Sequence, residues 1–137
     1  MPASLEFFPD RHTIVFTIDS PWVIEDLFAV YPEADKIFNG ATGKLTTIVD
    51  IRHIGRIPAG AMRARRSPFM VSPRSGFQIL VSQQNHARSM AEIVYRIANY
   101  KRVRFCNTME EAWALVQGET TRAEKHDAGD SARDQRA

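Results

Sequence analysis

The chain carries one cysteine, Cys106, among 137 residues. That excludes an intrachain disulfide framework and is compatible with a reducing compartment. No apolar run approaches membrane-spanning length. Met1 to Phe8 offers no basic segment leading into an apolar stretch, so no signal peptide is expected. These absences lead to the expectation of a cytoplasmic protein without a membrane partner. Its four histidines, His12, His53, His86 and His126, form no spaced pair of the H-E-x-x-H kind, so neither a metal site nor a cofactor is expected. Gly40-Ala41-Thr42-Gly43-Lys44 lacks the spacing of a phosphate loop and precedes a strand rather than a helix.

Acid is missing from the middle of the chain. From Arg52 to Arg104 eleven basic residues face one acid, Glu92, and no acid at all lies between Arg52 and Gln84. Residues 1–51 carry the opposite bias, with eight acids against three bases. The overall charge of +2 conceals this segregation. A dipolar surface of this kind attracts an acidic partner or a second copy of the same chain.

What is present reads as alternating strands and helices. Leu5 to Phe8 and Thr13 to Asp19 flank the turn residues Pro9-Asp10-Arg11, a β-hairpin with Ile14, Phe16 and Ile18 on one face. Ser20-Pro21 reads as a cap and a first-turn proline. Ile24, Leu27, Phe28 and Tyr31 continue at helical spacing, and Pro32 should end or kink that helix, leaving Asp35 to Phe38 as a second short piece. Leu45 to Ile51 is a strand. A helix is predicted from Pro58 towards Arg66, stopped at Ser67-Pro68, with a thin apolar face of Ala59, Ala61, Met62 and Phe69. Phe77 to Val81 reads as a buried strand and Asn85 to Asn99 as the most regular helix, striped by Ala87, Met90, Ala91, Val94, Ile97 and Ala98. Val103 to Cys106 fits an edge strand guarded by charge. Thr108-Met109-Glu110-Glu111 forms a capping box for a last helix through Trp113 and Val116. From Gly118 onward only scattered alanines are apolar, so a disordered polar tail is predicted.

The fold class is therefore α/β: an N-terminal hairpin followed by βαβαβα units, a mostly parallel mixed sheet and about four helices. In such sheets sites collect where strands deliver loops to helix starts. Leu45 to Gly60, LTTIVDIRHIGRIPAG, is the clearest case, with Asp50, Arg52 and His53 at the strand end and Gly55 and Pro58 in the loop.

This element order over residues 5–117 resembles the STAS domain, named for sulfate transporters and anti-sigma-factor antagonists. Thr47 to Ile51 with Asp50 and Arg52 matches a strand pattern of that family, and Asn107 to Val116, NTMEEAWALV, is similar to its last helix. The resemblance implies a single domain over residues 1–117 and a docking surface at the turn before the second helix. Family members in sigma-factor control carry a phosphorylatable serine there, in an Asp-Ser-Ser-Gly turn. Here the corresponding residues are Ile57-Pro58-Ala59-Gly60, which keep the glycine and have no hydroxyl. The resemblance therefore carries over a docking surface without the phosphoswitch.

Three functions are open at this point. The leading one is a non-enzymatic regulatory or interaction domain. Its surface would comprise Arg52, His53, Arg56, Pro58, Ala59, Gly60, Arg63 and Arg66, docking an acidic protein or a second copy. Little aromatic interleaving disfavours nucleic acid. A small-ligand binder, apolar or anionic, is the alternative, invited by the thin apolar face over residues 58–69. An enzyme using Asp50 and His53 comes last, since no second carboxylate or base is placed beside them. Cys106, with Arg102 and Arg104 nearby, is either a thiol of lowered pKa or a small buried apolar residue.

Overall fold

In the opening hairpin of the computed structural model, which describes residues 2–118, β1 (Ala3–Phe8) runs antiparallel to β2 (Thr13–Asp19). A short 3₁₀ turn over Pro9–Arg11 joins them, and His12 closes it in a left-handed conformation. β3 (Leu45–His53), β4 (Ser75–Val81) and β5 (Val103–Cys106) follow in parallel. The sheet order is β1-β2-β3-β4-β5. The chain is thus an α/β structure with a five-stranded, mostly parallel mixed sheet, as its patterning predicts. The predicted polar tail lies, Gly118 apart, outside the described residues.

Two cores form because strand side chains alternate between faces. On the first face Ile14, Phe16, Ile18, Val49, Ile51 and Leu80 meet the helix α1 (Ile24–Asn39) through Ile24, Leu27, Val30, Ala34 and Phe38. The helix α3 (Asn85–Ile97) joins them through Ala87 and Tyr95. On the second face Ile48, Ile79, Val81 and Cys106 pack against Ala112 and Val116. Both of the latter belong to a last helix, α4, over 109–118. Trp113 on α4 reaches the hairpin, edge-on to Phe8 at 5.1 Å and beneath the Arg11 guanidinium at 4.6 Å.

Several boundaries differ from those read in the sequence. Ser20-Pro21 stands ahead of α1 rather than in its first turn; the helix begins at Ile24, where the Asp26 carboxylate accepts from the Val23 amide at 2.8 Å. Pro32 sits inside α1, which runs unbroken to Asn39. A helix-interior proline costs about 3 kcal/mol. Each fully buried aliphatic or aromatic side chain contributes ~1.5–3 kcal/mol, and Val30 and Phe38 on either side of the proline are buried on the same sheet. Packing therefore keeps the helix whole. In α3 the inward position belongs to Tyr95, while Ile97 is 56% exposed.

The largest departure lies between β3 and β4. No helix starts at Pro58: a 3₁₀ turn covers Ala61–Arg66, with Gly60 before it in the left-handed region (φ +83°). Ser67-Pro68, read as a stop, opens the four-residue α2 (Pro68–Val71). The final helix starts as expected, with the Thr108 hydroxyl accepting from the Glu111 amide at 3.1 Å. The Glu111 carboxylate reaches one residue further than the capping box requires, to the Asn107 amide at 2.9 Å. Since α4 alone supplies the helical residues of the second core, Thr108→Ala is expected to lower stability by about 1 kcal/mol. The urea midpoint measures this, and an unchanged midpoint would show that the cap contributes nothing.

Candidate functional site

The thin connection over residues 54–74 crosses the middle of the sheet where a full crossover helix would ordinarily lie. This strap touches both α1 and α3, and beneath it is a cavity of about 110 Å³. Phe16, Ile18, Val49, Ile51 and Leu80 form its floor. Leu27 and Tyr31 of α1 make one wall, and Ala87, Met90, Ala91, Val94 and Tyr95 of α3 the other. The roof comes from Ile57, Ala61, Ala64, Ser67, Phe69 and Met70. A 3₁₀ helix has about three residues per turn, so Ala61, Ala64 and Ser67 stack on one side, facing inward. Two alanines and a serine where a helix would normally send larger side chains leave the space unfilled.

A buried polar network fastens this roof to the floor. Gln78, 1% exposed, donates from Nε2 to the Phe69 carbonyl at 2.8 Å and accepts from the Tyr95 hydroxyl at 2.7 Å. Ser75 donates to the same Phe69 carbonyl, and the Tyr100 hydroxyl bonds to Ser75 and to the Gly76 carbonyl. Burial pushes the Tyr95 hydroxyl far above the ordinary tyrosine range. Burial likewise raises Tyr31 to about 12, against the opposing effect of a hydrogen bond with Ser67. Both phenols therefore stay neutral at physiological pH and act only as hydrogen-bonding groups.

At the other end of the cavity the Trp22 indole donates to the Ile54 carbonyl at 2.9 Å. His86 Nε2 lies 3.1 Å from the Gly55 carbonyl, tying the loop to the first turn of α3. Gly55 has φ +62°, and a Cβ there would stand 2.6 Å from the Ser20 side chain. Only glycine combines that backbone with that approach.

No family model, curated protein or solved structure matches the chain. The candidate site therefore rests on its geometry.

The residues singled out from sequence do not form one patch. Asp50 and Arg52 alternate away from the cavity, onto the face that α4 packs against. There Arg52 grips both Asp50 carboxylate oxygens at 2.9 Å, and its amide adds a third bond at 3.1 Å. Burial opposes ionisation of Asp50, yet the Arg52 side chain and amide win and hold its carboxyl below the usual range. His53 is exposed at the strand end. Arg56, Pro58 and Ala59 flank a depression with Ser20, Pro21 and Trp22. Arg63 and Arg66, with Arg65, line a separate crevice with Phe28 and Tyr31. Arg63 stacks over the Phe28 ring at 4.7 Å and makes a long contact of 3.9 Å with Glu25. Arg65 donates to the Met62 carbonyl at 3.0 Å.

Cys106 is buried, and burial followed by Glu111 raises its thiol pKa despite nearby Arg88. It behaves as a small core residue. Among the described residues no group of three or more histidines, cysteines or acids could hold a metal, and no helix is long and apolar enough to cross a membrane. Sequence patterning gives no site role to Gln78, Tyr95 or Trp22, and places Tyr31 only on the apolar face of α1. For Gln78 a signal existed: it shares the parity of Leu80 on the inner face of an apolar strand, where a polar side chain requires buried partners.

Two outcomes test this site. Gln78→Leu leaves the Tyr95 hydroxyl buried without its acceptor and is expected to cost about 2 kcal/mol, measured by urea denaturation; wild-type stability would contradict the anchoring role. Asp50 has a lowered folded pKa, so its stabilisation is complete above the unfolded value of about 3.9 and fades as pH falls towards the folded one. In Arg52→Ala the guanidinium is lost and only the residue-52 amide and His53 still oppose burial, so ionisation becomes less favourable. The stability gap between wild type and variant should widen from pH 3 to pH 7, reaching about 1 kcal/mol because Arg52 is partly exposed. A gap independent of pH would refute the pairing.

Proposed function

We propose that this chain is a non-enzymatic, STAS-like binding domain that holds a small apolar ligand between its sheet and the part of the strap over residues 57–70. The observation that carries this reading is the cavity itself. Native interiors are close-packed and seldom keep voids larger than a water molecule. An apolar cavity of about 150 Å³ is known to stay dry and bind benzene, and the space here is about 110 Å³. Its few polar groups, Gln78 and Tyr95 above all, are satisfied by one another. The element order and the antiparallel opening strand support the STAS-like resemblance. The turn Ile57-Pro58-Ala59-Gly60 offers no acceptor for a phosphoryl group, so occupancy of the cavity, not phosphorylation, is the device this domain would use. A cytoplasmic setting fits a chain whose only thiol is a buried core residue.

A second reading, docking of an acidic protein or a second copy, is favoured by the crevice of Arg63, Arg65 and Arg66, where the one ion pair among the described residues is the long contact to Glu25. It requires no cavity, and an arginine-driven interface should weaken with salt. An enzyme built on Asp50 and His53 lacks support, since Arg52 engages the Asp50 carboxylate on the far side of the sheet from the cavity.

Benzene provides the test. It should raise the melting temperature of the wild-type protein by several degrees at concentrations well above its Kd. Ala91→Leu and, separately, Ala64→Leu project three more carbons into the cavity and should abolish that rise, while the unliganded variants keep the wild-type circular dichroism. Equal stabilisation of wild type and both variants, or no stabilisation of wild type, would sink the proposal.

A further inference from the structure

We infer that the ligand is a small amphipathic carboxylate, its apolar chain under the strap and its charged head at Arg65 and Arg66. The inference rests on the cavity reading above and adds the chemistry of the head group. Four observations carry it.

The first is that one short turn makes both surfaces. With about three residues per turn, Ala61, Ala64 and Ser67 face the cavity while Arg63 and Arg66 share a second side and Arg65 stands on a third. Cavity and arginine crevice are therefore back to back across a single layer of backbone. The second is Tyr31, which lines both of them. Its ring occupies the seam between α1 and the strap, beside Ser67 in the cavity lining. A molecule longer than the cavity would leave through this seam and emerge among the arginines.

The third observation is charge. No acid occurs between Arg52 and Gln84, and among the described residues the only carboxylate within ion-pair distance of the crevice is Glu25, at 3.9 Å from Arg63. Asp35, one turn beyond Tyr31 on α1, makes no ion pair with these arginines among the described residues. Arg65 and Arg66 have no carboxylate partner there, and planar guanidinium groups match a carboxylate with paired donors. At the opposite end of the cavity Arg56 stands as a single cation beside Trp22, so the head is assigned to the Tyr31 end.

The fourth is size. The cavity, about 110 Å³, is somewhat smaller than the ~150 Å³ known to take benzene, so a short chain of about four carbons suits it. Pentanoate has that length behind its carboxylate.

Calorimetric titration of the full chain with pentanoate, 1-pentanol and acetate separates the possibilities. Pentanoate should bind at least tenfold more tightly than pentanol at low ionic strength, acetate should bind far more weakly than either, and added salt should narrow the gap between the first two. Arg65→Gln/Arg66→Gln should bring pentanoate down to the level of pentanol and leave pentanol unchanged, which also reports that the variant is folded. The single variant Arg66→Gln, expected to lie between, serves if the double variant does not fold. Pentanol binding with no advantage for pentanoate overturns the head-group assignment and leaves the cavity reading intact. Acetate binding as tightly as pentanoate overturns it too, by showing a surface anion site without a tail. If neither five-carbon probe binds, both the assignment and the cavity reading fall.

Discussion

The Gln78 carboxamide is the joint on which the site depends. Its donor holds the Phe69 carbonyl and its acceptor holds the Tyr95 hydroxyl, so one side chain links β4, the strap and α3. A buried amide is costly unless its groups are paired. That cost makes the arrangement specific: if the strap shifts, the Gln78 amide loses its acceptor inside an apolar space. Ser75 and Tyr100 repeat the constraint beside it. The strap therefore has one firmly registered end, near Phe69, and its remaining length spans to Gly60 with backbone turns and small side chains.

That division explains why the cavity exists where it does. A long α-helix between β3 and β4 would have presented large residues to the floor, as α1 does with Leu27, Val30 and Phe38. Gly55, Pro58, Gly60 and Pro68 interrupt any such helix, two of them through left-handed backbone. What forms instead is the tighter turn, whose inner residues are Ala61, Ala64 and Ser67. Phe69 is the exception, and it is buried where Phe16 and Phe38 contact its ring, at 4.9 Å and 5.8 Å. The aromatic cluster fills one end of the space and the alanines leave the other open.

Much of the fold was legible because strands and the longer helices have strong periods. Ile14, Phe16 and Ile18 alternate inward as read, Thr108 and Glu111 cap the last helix, and the mixed sheet with one antiparallel strand follows from the order of elements. Local propensity at Pro32 sets Asp35 to Phe38 apart from the helix, whereas packing on both sides of the proline keeps α1 continuous. Pro58 misled because a first-turn proline and a loop proline have the same local signature. The site was legible only in outline: the thin apolar face over residues 58–69 signalled an incomplete covering of the sheet. Gln78 and Tyr95 could not be paired from sequence, since 17 residues separate them and only the β4–α3 geometry brings them together. Sequence proximity places Arg52 with the later arginines, whereas strand alternation sends it to the other face, onto Asp50.

Charge placement adds a last constraint. Arg63, Arg65 and Arg66 crowd one turn that makes few buried contacts of its own; no residue of the 3₁₀ turn is fully buried. Like charges at this spacing repel, and segments with few buried apolar contacts occupy the low end of local stability. The strap between Gly60 and Ser67 is thus held from below by an incomplete apolar contact and pushed apart from above by its own cations. A ligand that filled the space beneath and neutralised the charge above would oppose both weaknesses at once. Its binding energy would appear as order in the strap. For such a ligand, occupancy of the cavity and the shape of the outer face would be two readings of one equilibrium, coupled through the short turn that makes both surfaces.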